Sequence, residues 1–344
     1  MRIFALISVI LFSLNFGISQ SAEDVNKVSI TVSDLERSID FYTTVLPFKD
    51  VKRYTLSGRS VERLFGIRDS KLSIDVALLK LGGEYIELME FHSPKLKGRP
   101  IPEDSKSNDL WFQHIAIVVS DMEKAYQQLT KYEVEHVSTS PQTLPDYIPA
   151  AAGISAFYFR DPDDHNLEII YFPEGKGNPK WQNNKEKIFL GIDHTAIGID
   201  QTTESLPFYQ DLLGLKVAGN SRNFGSEQEH LNQVFGASLL ITGLQAKSGI
   251  GVEFLDYIAP PGGRAYPKDS EPTDIWHWHT SLKVSSVKNY YTNLLLANYK
   301  IISSGLVSLD EQMVNVEKSN LNSATNSLGF LVRGPDGHVF LIYQ

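Results

Sequence analysis

One pattern recurs four times along this 344-residue chain: an alternating apolar strand, a helix, and a closing strand. The clearest copies are QHIAIVVSDMEKAY from Gln113 and DHTAIGIDQTTESLPFY from Asp193. Both place a histidine at the same strand position, His114 and His194, and both modules close on a strand bearing a carboxylate, Glu168 and Glu253. The second half also copies the first. GRPIPEDSKSNDLWFQH ends at His114 and GRAYPKDSEPTDIWHWH ends at His279, an offset of 165 residues, while Glu87 and Glu253 are 166 apart. A module of this size cannot bury its sheet alone, so duplicated modules must pair. Paired modules that each offer one histidine and one glutamate can build a metal site between them.

Each module reads as β-α-β-β-β, an α+β chain of four such units. In module one, Val28, Ile30 and Val32 alternate as a half-buried strand. Ser33 with Glu36 reads as a capping box, and Leu35, Ile39, Tyr42 and Leu46 recur at helical spacing. Gly82-Gly83 separates SIDVALLKL from EYIELMEF as a hairpin signal. In module two, Ser120 and Glu123 repeat the capping box, and Asp-Pro-Asp-Asp before His165 is a turn, because Pro presets φ and Asp bonds back to the backbone. Module three matches Ser38-x-x-Phe41-Tyr42 with Ser205-x-x-Phe208-Tyr209, and module four runs from WHWHTSLKV to GFLVRGPDGHVFLIY. The Gly- and Pro-rich stretch 172–184 has no periodicity and reads as a linker. The expected division is an export signal at 1–21, a first domain at 22–175, a linker at 176–188 and a second domain at 189–344.

The chain carries no cysteine, which excludes disulfides, thiolate nucleophiles and Cys-ligated zinc. Any metal must use His, Glu, Asp or backbone oxygen, a donor set suited to Zn, Ni, Fe or Mn. A net charge of −9 argues against nucleic-acid or anionic-membrane partners and leaves a small molecule as the expected one. Arg2, the apolar run 3–16 and small residues at Gly17, Ser19 and Ser21 read as a signal peptide, shorter than the ~20 residues of a membrane span, with an uncleaved anchor as the alternative. The folded part is therefore expected outside the cytoplasm, periplasmic or secreted, free of the membrane after cleavage. Four modules in one chain can complete the fold as a monomer, and a homodimer is not required.

The segments DLERSIDFYTTVL, QHIAIVVSDMEKAY, FRDPDDHNLEII, DHTAIGIDQTTESLPFYQDLLGL and VRGPDGHVFLIY resemble the vicinal oxygen chelate superfamily, which holds glyoxalase I, bleomycin-resistance proteins and extradiol dioxygenases. The resemblance spans nearly all of the chain after the signal. It implies two glyoxalase-like domains with metal ligands on the first and last strands of each module. Carried over by position, module one offers Lys27 and Glu87, module two His114 and Glu168, module three His194 and Glu253, and module four His279 and Leu341. Lys27 and Leu341 depart from ligand chemistry. Period two supports the inward placement on its own: Ile115, Ile117 and Val119 share one face and His114, Ala116 and Val118 the other. A carboxylate in an apolar strand such as Glu168 is costly unless paired or metal-bound.

Two pairings follow. In chain order, each site loses one ligand, and modules three and four keep His194, Glu253 and His279, a facial triad open to Fe(II) chemistry. Crossed, modules two and three hold a complete set, His114, Glu168, His194 and Glu253. Modules one and four then keep only Glu87 and His279 beside Lys27 and Leu341. The crossed arrangement confines the losses to one site and is preferred. Lys27 then reads as an internal ion pair with Glu87, with a catalytic lysine as the alternative. His165 and His338 read as turn structure, Trp111 and Trp276 as core anchors, and His277 as a residue at a pocket rim.

The resemblance implies a metal-dependent isomerase or lyase that binds vicinal oxygens, with Glu168 or Glu253 moving the proton. Export strains a glutathione-linked version of that reaction, because reduced thiols belong to the cytosol. An Fe(II) extradiol dioxygenase using His194, His279 and Glu253, and a non-catalytic drug-binding protein, are the alternatives.

Overall fold

The computed structural model describes residues 21–183, 186–261, 263–314 and 327–344. The expected export segment 1–21 lies outside them except for Ser21. Module one contributes β1 (Ala22–Val32), α1 (Leu35–Asp40), β2 (Lys49–Ser57), α2 (Arg59–Phe65), β3 (Ser73–Leu81) and β4 (Glu84–His92). Module two adds β5 (Gln113–Val119), α3 (Met122–Lys131), the short β6 (Glu135–His136) and β7 (Gln142–Thr143), β8 (Ser155–Arg160) and β9 (Asn166–Tyr171). Module three holds β10 (Phe189–Ile199), α4 (Thr202–Leu206), β11 (Lys216–Phe224), α5 (Ser226–Asn232), β12 (Ser238–Gln245), the short β13 (Ser248–Gly249) and β14 (Gly251–Ala259). Module four holds β15 (Trp278–Val284), α6 (Val287–Leu296), β16 (Lys300–Ile301), β17 (Val307–Ser308), α7 (Glu311–Val314), β18 (Leu328–Arg333) and β19 (Val339–Tyr343). No helix among the described residues is long and apolar enough to cross a membrane.

The modules pair crosswise. One sheet runs β11-β12-β14-β10-β5-β9-β8-β6 and joins modules two and three; the other runs β16-β18-β19-β15-β1-β4-β3-β2 and joins modules four and one. In each sheet the two leading strands meet antiparallel at the centre, β10 on β5 and β1 on β15. Each leading strand has its own module's closing strand parallel on its other side. The chain-order pairing is thereby overturned, and with it the set His194, Glu253 and His279, whose strands β10 and β14 lie in one sheet and β15 in the other.

Period two decides what each face carries. Val28, Ile30, Ile115, Ile117, Ile197 and Leu282 point to the helix side, where Ile39, Leu129, Tyr209 and Leu294 cover them. Both sheets share this one apolar core. The helices begin one residue later than the capping boxes suggest. Asp34 accepts from the Arg37 amide and Asp121 from the Lys124 amide, while Ser33 bonds to Asp163 and Ser120 to the Lys187 carbonyl. Asp satisfies the free amides of a first turn as well as Ser, for about 1 kcal/mol. The helical face of module one is buried as expected, with Tyr42 and Leu46 fully enclosed, although the chain loosens into a wider turn over Phe41–Val45.

The turn histidines do more than shape turns. His165 receives two bonds' worth of anchoring from Asp161, through its amide and Nδ1, and its Nε2 lies 2.7 Å from the Ile275 carbonyl of module four. His338 mirrors it, with Nε2 at 2.8 Å from the Gly198 carbonyl of module three. Trp111 and Trp276 pack in one small cluster as expected, each under an arginine, Arg264 and Arg99.

Candidate metal centre

Three of the four residues of the expected set, His114, Glu168 and His194, come together on the sheet built from modules two and three, and Glu253 stands beside His194, outside that mutual grouping. Their strands are adjacent in the order β14-β10-β5-β9. In the β5–β9 ladder Glu168 stands opposite Ala116, two residues along from His114, and in the β10–β14 ladder Glu253 stands opposite Ala196, two along from His194. A local irregularity aims His194. Ile192 pairs with Ile117 and His194 with Ala116, which leaves Asp193 as the extra residue of a bulge. A bulge breaks the alternation and redirects the side chains around it. Gly251, opposite His194, leaves space that a side chain would fill, because a Cβ there would come within 3.1 Å of the His194 Cβ.

His114, Glu168 and His194 each offer a donor atom within 4.8 Å of the others, and all three side chains are buried. His114 Nε2 lies 3.1 Å from Glu168 Oε2, His194 Nε2 lies 3.8 Å from the same oxygen, and His194 Nε2 lies 3.5 Å from Glu253 Oε1. Bonds of about 2.0–2.2 Å to a shared divalent cation put neighbouring donors roughly 3–3.5 Å apart. Both nitrogens of His114 and Nε2 of His194 are buried without a hydrogen-bond partner. Buried polar atoms are nearly always satisfied, so two orphaned Nε2 atoms, one on each histidine, beside two carboxylates fit a cation, while Nδ1 of His114 faces away from it. Lone pairs of imidazole and carboxylate facing one another repel unless a proton or a metal ion lies between them.

Two residues hold His194. Asp193 Oδ2 lies 3.0 Å from His194 Nδ1, and Trp181 donates its indole N–H to Asp193 Oδ1 at 2.5 Å. Such a carboxylate fixes the tautomer that presents Nε2 to a metal. Burial pulls the His194 imidazole down, but Glu253, Asp193 and Glu168 outweigh it and raise it to about 10. Burial lowers His114, against the pull of Glu168. Burial lifts the Glu253 carboxyl to about 7, although His194 draws it the other way. Tyr158 leans on His114 with ring centroids 5.0 Å apart, and burial followed by Glu168 keeps its phenol protonated far above its ordinary range.

Glu168, His194 and Glu253 of the cluster border a cavity of about 600 Å³. Tyr158, Glu168, Asp193, His194 and Glu253 line it together with Phe172, Gly177, Asn178 and Pro179. The last four belong to the stretch expected to be a plain linker. That stretch instead forms a wall of the cavity and a short turn over Pro179–Gln182 that buries Trp181.

The second-tier residues Glu87 and His279 do not form a second site. Lys27 Nζ lies 2.5 Å from Glu87 Oε1 and also donates to the Met313 carbonyl, while Ser29 and Tyr54 donate to the same carboxylate. No ion pair joins His279 to Glu87 among the described residues. Instead His279 lies beside Phe65, and burial brings it down to about 4. Phe65 of α2, Leu309, Met313 of α7 and Leu341 pack into one apolar cluster against this face. An ammonium and an apolar plug thus stand where the other sheet has its donors and cavity. His277, expected at a rim, is fully buried, and both its nitrogens lack partners.

Sequence reasoning missed Asp193, Trp181 and Tyr158. Asp193 was adjacent to a candidate ligand, but only the bulge brings it onto that ligand. Trp181, with Phe172, was a large apolar residue in an otherwise polar linker, which was a usable signal. Tyr158 carried none beyond its inward strand position opposite Glu168.

Crossed βαβββ modules with His and Glu gathered between the central strands define a vicinal-oxygen-chelate type of protein. The chain belongs to the Glyoxalase/Bleomycin resistance protein/Dioxygenase superfamily, whose family model matches residues 24–169. It is 31% identical over 156 residues to a 2-epi-5-epi-valiolone epimerase of Actinomyces sp, a match covering 44% of this chain and 80% of that protein. It is also 31% identical over 113 residues to glyoxalase I of Saccharomyces cerevisiae (strain ATCC 204508 / S288c), covering 33% of this chain and 31% of that protein. Among solved structures, glyoxalase I from Zea mays superposes with a TM-score of 0.59 at 14% identity, over 93% of this chain and 92% of that one. A putative dioxygenase from Bacillus subtilis gives 0.53 at 12% identity, over 94% and 86%. At these identities the two structures speak for the fold alone.

Proposed function

We propose that this protein is a divalent-metal-dependent isomerase or lyase that moves a proton at a carbon beside a carbonyl. The observation that carries the reading is the grouping of His114, Glu168 and His194, with Glu253 against His194, beside a cavity of about 600 Å³. A divalent cation held there would supply Lewis-acid polarisation of adjacent substrate oxygens.

The chain's own residues divide the remaining work. His114 and Glu168, buried and 3.1 Å apart, form the fixed side of the centre. Asp193 holds the Nδ1 proton of His194, so Nε2 faces inward. Glu253 is only half-buried and faces the cavity. The most exposed of the four donors and on the cavity wall, Glu253 is placed to carry the proton at its Oε atoms. The Tyr158 hydroxyl remains a proton donor beside them. Phe172 and the buried Tyr158 give the cavity apolar surface beside these residues. The epimerase relationship favours return of the proton to the same carbon over loss of a leaving group. Export rests on the composition of residues 1–21 and is tested by sequencing the N-terminus of the mature protein from cell fractions; an intact Met1 in the cytosol would refute it.

The reading is tested by loading the protein with Zn²⁺, Ni²⁺, Mn²⁺ or Fe²⁺ and following exchange of α-hydrogens of α-hydroxyketones in D₂O by NMR. Metal-dependent exchange is expected. Oxygen uptake on catechols without exchange would instead favour the dioxygenase, and tight ligand binding by protein that takes up no metal would favour a sequestering role.

A further inference from the structure

The cavity in front of the metal centre carries a second piece of information, the charge of what it can hold. Its described lining includes no lysine and no arginine. Its ionisable groups are Glu168, Asp193, Glu253 and His194, all at the metal-centre end. Three cations of the surrounding elements are engaged elsewhere, and Lys216 on β11 is exposed and outside the lining. Lys176 donates to the Pro149 and Ala150 carbonyls, Lys180 to Glu84, and Arg222 to Ser238. An incoming carboxylate or phosphate would therefore meet three carboxylates and no counter-charge beyond the metal itself.

The rest of the lining is neutral and two-sided. Asn220, Ser221, Asn223 and Gln245 stand on β11 and β12, with Asn178 on the linker. Asn223 is buried, with its Oδ1 taken by Ser221 at 2.6 Å, and its amide nitrogen has no partner among the described residues. Asn220 and Gln245 make no side-chain hydrogen bond there either. The facing wall is apolar, with Leu144, Ile154, Ile170 and Phe172. Amides and a hydroxyl on one side recognise hydroxyl groups in either hydrogen-bonding sense. An apolar wall on the other side suits the C–H face of a ring.

We infer that the substrate is a neutral, hydroxylated carbonyl compound and not an anionic conjugate. This rests on the proposed metal-dependent reading of the site and names the ligand class for it. The physical warrant is that burying a charged group without a partner costs several kcal/mol, whereas hydroxyls can exchange water for the wall amides at little cost.

The test uses one metal-binding head with three tails. Glycerohydroxamate is neutral and hydroxylated, succinomonohydroxamate carries a carboxylate, and 3-phosphoglycerohydroxamate carries a phosphate. Binding to the full chain loaded with Zn²⁺ is measured by calorimetry, with chelated protein as control. The neutral probe is expected to bind at least tenfold more tightly than either anion. Gln245→Lys, at an exposed wall position, should narrow that gap about tenfold. Metal-dependent binding with the anions equal or tighter would overturn the inference and leave the metal site standing. Binding of none of the three in a metal-dependent way would overturn the metal reading itself, and the inference with it.

Discussion

His194 shows how a single residue is built into this centre. Its position follows from strand alternation, but its orientation comes from the bulge at Asp193 and from Trp181 behind it. Asp193→Asn should keep the fold and weaken metal affinity about 10–100-fold, the usual cost of losing such a partner; competition against a chromophoric chelator measures it. Unchanged affinity would assign Asp193 to structure alone. Glu253→Gln makes a different prediction: stability should hold while α-hydrogen exchange falls at least ~100-fold, the scale of a lost acid–base group. Protons also report on the centre. Without a metal, His194 stays charged up to about 10 and Glu253 is half-charged near 7. Metal must displace the His194 proton, so binding at pH 7 should release about one proton, or somewhat more if Glu253 also ionises. Affinity should therefore fall as pH falls. Calorimetry in buffers of different ionisation enthalpy counts the protons, and zero would show that His194 is not a ligand.

At the scale of the element, the contrast between the two leading strands of the first and third modules is instructive. β1 repeats the bulge of β10, with Asn26 out of register before Lys27 just as Asp193 is before His194. The inherited geometry persists, but the side chain now supplies its own positive charge. Burial alone would lift the Glu87 carboxyl; Lys27, Tyr54 and Ser29 reverse that and hold it below its ordinary value of 4.5. A depressed carboxyl contributes stability that is full above 4.5 and is lost as pH falls through the folded value. Lys27→Met should cost about 3–5 kcal/mol by leaving a buried carboxylate unpaired, whereas Lys27→Met with Glu87→Leu should recover most of it. Urea denaturation checks both. If Lys27→Met instead left stability intact and abolished catalysis, Lys27 would be a working residue. The strands and the inward glutamates were legible in the sequence because period two marks them. The caps were displaced by one residue because Asp competes equally with Ser at a helix start. The bulge was not legible, since one extra residue in a strand leaves the alternation readable on either side of it.

For the whole molecule, the crossed pairing explains why losses cluster. Once modules one and four share a sheet, losing one ligand there relaxes constraint on the others, and α2 and α7 can fill the concavity. That pairing could be weighed in the sequence only by counting which arrangement kept a full donor set. The linker's role in walling the cavity could not be read, because its lack of periodicity describes its backbone and not what Trp181 and Pro179 touch. The long-range histidines give the molecule a second pH signature. Burial keeps His277, His279 and His338 neutral, the last two down to about 4. Groups that protonate in the unfolded chain but not in the folded one weaken the fold as pH drops below about 6.5, each by up to ~1.4 kcal/mol per unit. His194 and His165, both raised, act in the opposite sense at higher pH. Melting temperature should therefore fall steeply between pH 6.5 and 4, and His338→Gln should flatten that slope; a slope unchanged by the variant would mean His338 does not titrate with unfolding.

The most direct measurement is elemental analysis of the purified protein after metal loading, made on the wild type, His114→Ala and His279→Ala side by side. One divalent ion per chain is expected in the wild type and in His279→Ala, and essentially none in His114→Ala. Metal retained by His114→Ala and lost from His279→Ala would contradict a centre built between the second and third modules.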